Sequence, residues 1–201
     1  MVPFNTSDYS PYILKAAQAK PDVLVLLSVG KDAANCTKAA AEYGLKKNVT
    51  IMHALLFELD IKGTGIETFA GDYTAAPWNS AVNQPGTKEW ADRYYKTYGD
   101  RPTFMAAAVY SATRQYLDAV KRAGSKETDK VIKALEGSTY RDFFVSPGYI
   151  RPEDHLEVAK AYLLRVKQPG QLKEKEDYFE VVGELPADKA QPPVGLFKTL
   201  K

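Results

Sequence analysis

Three short stretches of this chain combine polar or aromatic side chains with the kind of junction that holds a small molecule. The first is Ser28-Val29-Gly30-Lys31-Asp32, which ends an apolar run and opens a helical pattern. A helix that starts there leaves its first N–H groups without intrahelical partners, and its dipole favours a negative group. Ser28 adds a hydroxyl, Gly30 forms the turn, and Asp32 either faces a ligand or caps the helix. The second stretch, Phe57-Glu58-Leu59-Asp60, follows another strand. Phe57 and Glu58 are its candidate contacts; the alternative is that Asp60 caps a short helix and Glu58 is solvated. The third is Ala75-Ala76-Pro77-Trp78, where Ala76 ends a strand and Trp78 offers apolar area. Trp78 either walls a binding cleft or packs against its own domain.

Other chemistry finds little footing. His53 falls in a strand and His155 in a loop, with no spacing that suggests a metal site. No Ser/His/Asp arrangement, phosphate loop or paired-carboxylate motif is present. No catalytic residue, metal or cofactor is therefore assigned. Cys36, the one cysteine, sits among Ala33, Ala34, Ala39 and Ala40 and reads as a buried, inert thiol. Tyr110 reads as core, Arg151 as a surface residue or a carboxylate partner, and 173–177 as a solvated loop of mixed charge.

The elements around these residues follow from periodicity. Ser7 or Asp8 caps a helix whose Tyr9, Tyr12, Ile13 and Ala16 lie at helical spacing, and Pro21 stops it. Residues 22–28 form a continuous apolar run, expected of a strand buried on both faces of a parallel sheet. A helix over 32–43 closes at Gly44; a strand over 49–56, a short helix over 61–69 and a strand over 71–76 follow. This alternation predicts a doubly wound α/β layer, in which ligands bind at the C-terminal ends of the strands. After Pro77 the texture changes to successive helices over 87–98, 102–123 and 126–136. The longest carries a stripe of Ala106, Val109, Tyr110, Thr113, Tyr116, Leu117 and Val120. Strand character returns over 143–150, 158–166 and 178–182.

With 45% hydrophobic and 26% charged residues in 201, the composition is that of a globular protein. The net charge of +2 and the lack of a basic stripe argue against nucleic acid as a partner. No apolar run reaches membrane-spanning length and no leader is visible. The expectation is a leader already removed, or a start inside a longer protein.

Several stretches, in order, resemble the leucine/isoleucine/valine-binding family of type I periplasmic solute-binding proteins. They are Asn5-Thr-Ser-Asp-Tyr-Ser-Pro-Tyr12, Lys20-Pro-Asp-Val23, Ala39-Ala-Ala-Glu-Tyr-Gly-Leu45 and Gly71-Asp-Tyr-Thr74. Pro102-Thr-Phe-Met-Ala-Ala-Ala-Val-Tyr-Ser-Ala-Thr113, Tyr116-Leu-Asp-Ala-Val-Lys-Arg-Ala-Gly124 and Gly148-Tyr-Ile-Arg-Pro-Glu-Asp154 complete the set. The resemblance implies part of a two-lobe fold, with most of the first lobe absent. Residues 1–80 would belong to the second lobe, 81–155 would be helices packing on the first, and 156–201 would return to the second as strands and tail.

It also implies a function: capture of an amino acid or another aliphatic or aromatic carboxylate for an ABC importer, in the periplasm, with a permease as the full protein's partner. The resemblance implies a small-residue turn, here bearing Val29 and Lys31, against the ligand, and a polar or acidic side chain near Glu58 toward a ligand ammonium or amide. Two alternatives are a sensing domain of the same fold and a fragment that binds nothing. A helix stripe short of its natural cover further predicts a homodimer or swapped assembly.

Overall fold

The computed structural model describes residues 2–3 and 6–196. Asn5, which opens the resemblance, and residues 197–201 of the expected tail lie outside them. The chain divides into two compact units: Met1–Ala75 with Leu163–Val182, and Ala76–Tyr162 with Gly183–Lys201.

The first unit opens with α1 (Ser10–Gln18), whose first turn contains Pro11. Its N-cap is Tyr9, not Ser7 or Asp8, and no side-chain cap bond forms, although the Asp8 carboxylate accepts the Ser10 N–H at 2.9 Å just before the helix. Strands β1 (Val23–Leu26), β2 (Thr50–His53) and β3 (Tyr73–Ala76) follow. They pair in parallel, with Leu26 opposite His53 and His53 opposite Thr74. Between β1 and β2 runs α2 (Gly30–Glu42), ending before Gly44, whose φ of +74° suits a residue without Cβ. Five strands form the sheet in the order β1-β2-β3-β7-β8, where β7 is Ala161–Val166 and β8 is Phe179–Leu185. Tyr9 at the N-cap of α1 and Ile13 within it, Cys36, Ala39 and Ala40 of α2, and Leu26 and Ile51 of the sheet make one buried core. The small α2 residues let that helix lie close to the strands.

Three expectations change here. β1 is not buried on both faces: Val23 and Val25 are 50% exposed and the following Leu27 is 80% exposed. The strand is the edge of the sheet, and its alternate residues Leu24 and Leu26 alone turn to the helices. The short helix is two, α3 (Glu58–Thr64) and α4 (Ile66–Phe69), interrupted at Gly65 with φ of +101°. Lys173, Glu174 and Lys175 are exposed as expected of a solvated loop, but the two residues that end it are tied down. Asp177 pairs with Lys167 at 2.6 Å, and Glu176, its side chain 7% exposed, pairs with Lys62 at 2.6 Å.

A buried polar cluster joins β2 and β3. Asp72, 1% exposed, accepts from His53 Nε2 at 3.0 Å and pairs with Lys46 at 2.7 Å. Lys46 also donates to the Thr68 carbonyl at 2.9 Å. His53 is fully buried and its Nδ1 has no hydrogen-bond partner among the described residues.

The second unit is built on α5 (Thr87–Tyr98), α6 (Phe104–Ala123) and α7 (Thr128–Leu135). The Thr103 hydroxyl caps α6 by accepting the Ala106 N–H at 3.2 Å. Strands β4 (Thr139–Tyr140), β5 (Gly148–Ile150) and β6 (Glu157–Val158) make a small antiparallel sheet, and α8 (Ala187–Ala190) follows β8. Residues 158–166 are thus not one strand, because β6 and β7 belong to different sheets. Within 143–150 only the last three residues are extended as a strand. Phe143, Phe144 and Val145 form a buried loop, in which Asp142 accepts the Phe144 and Val145 N–H groups at 2.8 and 2.9 Å.

The stripe on α6 is short of cover, as the resemblance implies. The helix buries Ala107, Ser111 and Ala119, whereas Val109, Tyr110, Tyr116 and Leu117 are exposed. Small residues, not large ones, mark its covered face.

Candidate functional site

Because Leu26, His53 and Thr74 stand level, β1, β2 and β3 share one C-terminal edge. The segments holding Ser28 and Phe57 leave that edge from neighbouring strands, and Ala76 ends β3 there.

Ser28 Oγ is enclosed and has no hydrogen-bond partner among the described residues. Gly30 begins α2 with φ of +57°, and a Cβ built there would meet nothing within 4 Å. The glycine therefore answers to backbone conformation, not to crowding. Val29 precedes it in extended conformation, and no side-chain cap bond forms at the start of α2 among the described residues. That helix end thus presents unsatisfied donors, and the positive end of a 13-residue dipole, beside an unpartnered hydroxyl.

Asp32, in the same first turn, does not cap the helix. Its partner is Tyr9, 4% exposed, whose phenol pKa is pushed up to about 12 by burial and then by the hydrogen bond and charge of Asp32. Tyr9 is the residue that sequence reasoning missed. It reads as one more apolar position of α1, and nothing along the chain signals that α1 lies against the start of α2.

Phe57 and Glu58 are half-buried. The Phe57 N–H donates to the Asp60 carboxylate at 2.9 Å, so Asp60 holds the start of α3. Ala76 is half-buried. Trp78 belongs to the second unit and is fully buried. Its ring stands edge-on to Trp90 and Phe143, with centroids 5.8 and 6.1 Å away, and its N–H donates to Thr87 Oγ1 at 3.3 Å. The indole offers no surface to solvent, which is the packing alternative of the two.

Other singled-out residues take structural places. Burial raises the Cys36 thiol to about 11, so it is protonated and unreactive at neutral pH. Arg151 forks onto Asp154 with contacts of 2.8 and 2.5 Å, which holds the Asp154 carboxyl below its ordinary pKa. His155 pairs with Glu136 at 3.0 Å. Tyr110 is 39% exposed, at the rim of an aromatic cluster rather than inside a core. Among the described residues no helix is long and apolar enough to cross a membrane, and no group of three or more His, Cys, Asp or Glu could hold a metal.

Chemically, the α2 end is suited to holding a small ion with two signs of charge. The donors and the Ser28 hydroxyl suit an anionic group, and the Asp32 carboxylate stands in the same first turn, hydrogen-bonded to Tyr9.

Known proteins share both the sequence and the fold. The family described as periplasmic binding protein matches residues 1–171. A periplasmic binding protein from Burkholderia mallei is 34% identical with a TM-score of 0.83, over 95% of this chain and 50% of that one. A branched-chain amino acid ABC transporter periplasmic ligand-binding protein from Burkholderia xenovorans is 32% identical, with a TM-score of 0.85 over 96% of this chain and 51% of its own. A solute-binding protein of an ABC transporter from Rhodopseudomonas palustris, solved with 3,4-dihydroxybenzoic acid, is 25% identical with a TM-score of 0.73, over 92% and 51%. No curated protein matches. The chain spans about half the length of these solved relatives, and its α/β architecture corresponds to half of the type I fold. On the match over 1–171, the chain belongs to the periplasmic binding protein family.

Proposed function

We propose that this chain contributes the solute-binding half-site of an ABC importer, and that its ligand is an amino acid held through its α-carboxylate at the start of α2. One observation carries the reading: the α2 N-terminus has no side-chain cap and adjoins the enclosed, unpartnered hydroxyl of Ser28. Free N–H groups and a buried hydroxyl call for an acceptor, and a carboxylate is a strong one. Asp32 selects between the two carboxylate classes bound by such proteins. Its negative charge attracts an ammonium and repels a bare aromatic acid, so a zwitterion is favoured. Ser28, Gly30 and Asp32 are then the contacts at β1, with Phe57, Glu58 and Ala76 at the neighbouring strand ends. Trp78, being enclosed, supports the fold of its own unit. The periplasm is the compartment and a permease is the partner of the full-length protein.

The test is a thermal-shift screen of the purified chain against aliphatic amino acids, aromatic amino acids and aromatic carboxylates. A ligand at 100 times its Kd stabilises the folded state by about 2.7 kcal/mol and raises Tm accordingly. The expected result is a dose-dependent rise with amino acids, reduced about tenfold in apparent affinity by Ser28→Ala. Asp32→Asn should weaken amino acids and favour aromatic carboxylates. No shift with any class at millimolar concentration would refute binding by this chain.

A further inference from the structure

Where β2 and β3 begin, at the end of the sheet away from the α2 turn, lies a hollow of about 420 Å³. It is walled by the link from α2 to β2, the start of β3 and Gln168 just past β7. These walls come from the three central strands of the sheet and from one unit, so neither edge of the sheet contributes to them. The charged and amide residues of the lining are Lys46, Lys47, Asn48, Asp72 and Gln168. Asp72 is the one carboxylate there among the described residues, and both its oxygens are taken: Oδ1 by Lys46 at 2.7 Å and Oδ2 by His53 at 3.0 Å. Lys46 uses two of its three N–H bonds on Asp72 and the Thr68 carbonyl and keeps the third. The Lys47 ammonium and the Asn48 amide are exposed and have no partner among the described residues. The Gln168 amide nitrogen, a further donor, lies 3.5 Å from where a Cβ on Gly71 would stand.

We propose that this hollow is a second binding site, for a compact oxyanion of the phosphate or polycarboxylate type. The balance of the lining points to that class. Two ammoniums stand against one carboxylate whose lone pairs are already engaged, so a cation would find no free acceptor there. Several N–H groups around one hollow suit a ligand with several charged oxygens, because each oxygen can accept a charge-assisted bond. A neutral ligand would leave the second ammonium without a counter-charge. Lys47 and Asn48 are exposed, so the ion keeps part of its hydration and binds with a Kd on the order of 1 mM. The α2 turn and this hollow lie at opposite ends of the strands, so the inference does not depend on the proposed amino-acid site.

Calorimetric titration of the full chain with sodium phosphate, at an ionic strength held constant with sodium chloride, tests it. The expected result is saturable binding, weakened at least about tenfold by Lys47→Glu and about threefold by Asn48→Ala. Lys47→Arg, which keeps the charge, should retain the affinity within about threefold. Citrate should compete with phosphate. Ser28→Ala, at the other end of the sheet, should leave phosphate binding unchanged. The Lys47 and Asn48 side chains are exposed, so circular dichroism and Tm of these variants without phosphate should match the parent. No saturation up to about 50 mM phosphate overturns the proposal. So does binding that Lys47→Glu leaves untouched, and so does binding that Ser28→Ala removes, which would put the ion at the start of α2.

Discussion

Asp72→Ala should be the most damaging single change in the first unit, for reasons its surroundings make quantitative. The carboxylate is 1% exposed and serves two partners, Lys46 at 2.7 Å and His53 Nε2 at 3.0 Å. Alanine leaves the Lys46 ammonium, 20% exposed, with only the Thr68 carbonyl as a partner in this cluster. It also leaves His53, fully buried, with neither ring nitrogen paired. Breaking a buried ion pair from one side costs about 3–5 kcal/mol. For a chain of this length each kcal/mol lowers Tm by roughly 2–4 °C, so a fall of about 6–20 °C is expected. Asp72→Asn keeps an acceptor and a donor in place and should cost about half as much. Removing the whole cluster as Lys46→Met, His53→Phe and Asp72→Leu should be far milder than Asp72→Ala, because no charge is stranded. Urea unfolding followed by circular dichroism gives all three values. An Asp72→Ala loss below about 1 kcal/mol, or a triple variant worse than the single one, would refute the reasoning.

Two further expectations concern the two cores. Trp78→Ala should destabilise by about 3–5 kcal/mol in chemical unfolding, since it empties the space between Trp90, Phe143 and Phe144 and removes the Thr87 bond. Tyr9 has a folded-state pKa of about 12 against an ordinary 10, so ionisation is easier in the unfolded chain. Stability should therefore fall as pH rises from about 10 toward about 12, and Tyr9→Phe should flatten that part of the pH–Tm curve.

Helix ends were the most legible features of this chain. Gly99 and Gly124 close α5 and α6 where expected, because a left-handed residue after a helix is a local requirement. Strand lengths and partners were less so. Residues 158–166 look continuous, yet β6 and β7 part into separate sheets, a division that depends on which backbones come alongside. At the candidate site, the Ser28-to-Asp32 turn could be read from its glycine and its place after an apolar run. That Asp32 answers to Tyr9 could not, since the two meet only when α1 packs beside α2.

Composition and periodicity determined the α/β class and the strand-helix alternation, while the family was legible only through the resemblance of its ordered motifs. These are encoded in local preferences and in which residues avoid water. Only the tertiary structure decided which apolar residues are covered. Val25 and Leu26 are sequence neighbours of the same kind, and Leu117 and Val131 are equally apolar helix residues; in each pair one is exposed and the other buried. A side chain's hydrophobicity says that burial is favourable, whereas the presence of a neighbour to bury it is a property of the assembled elements.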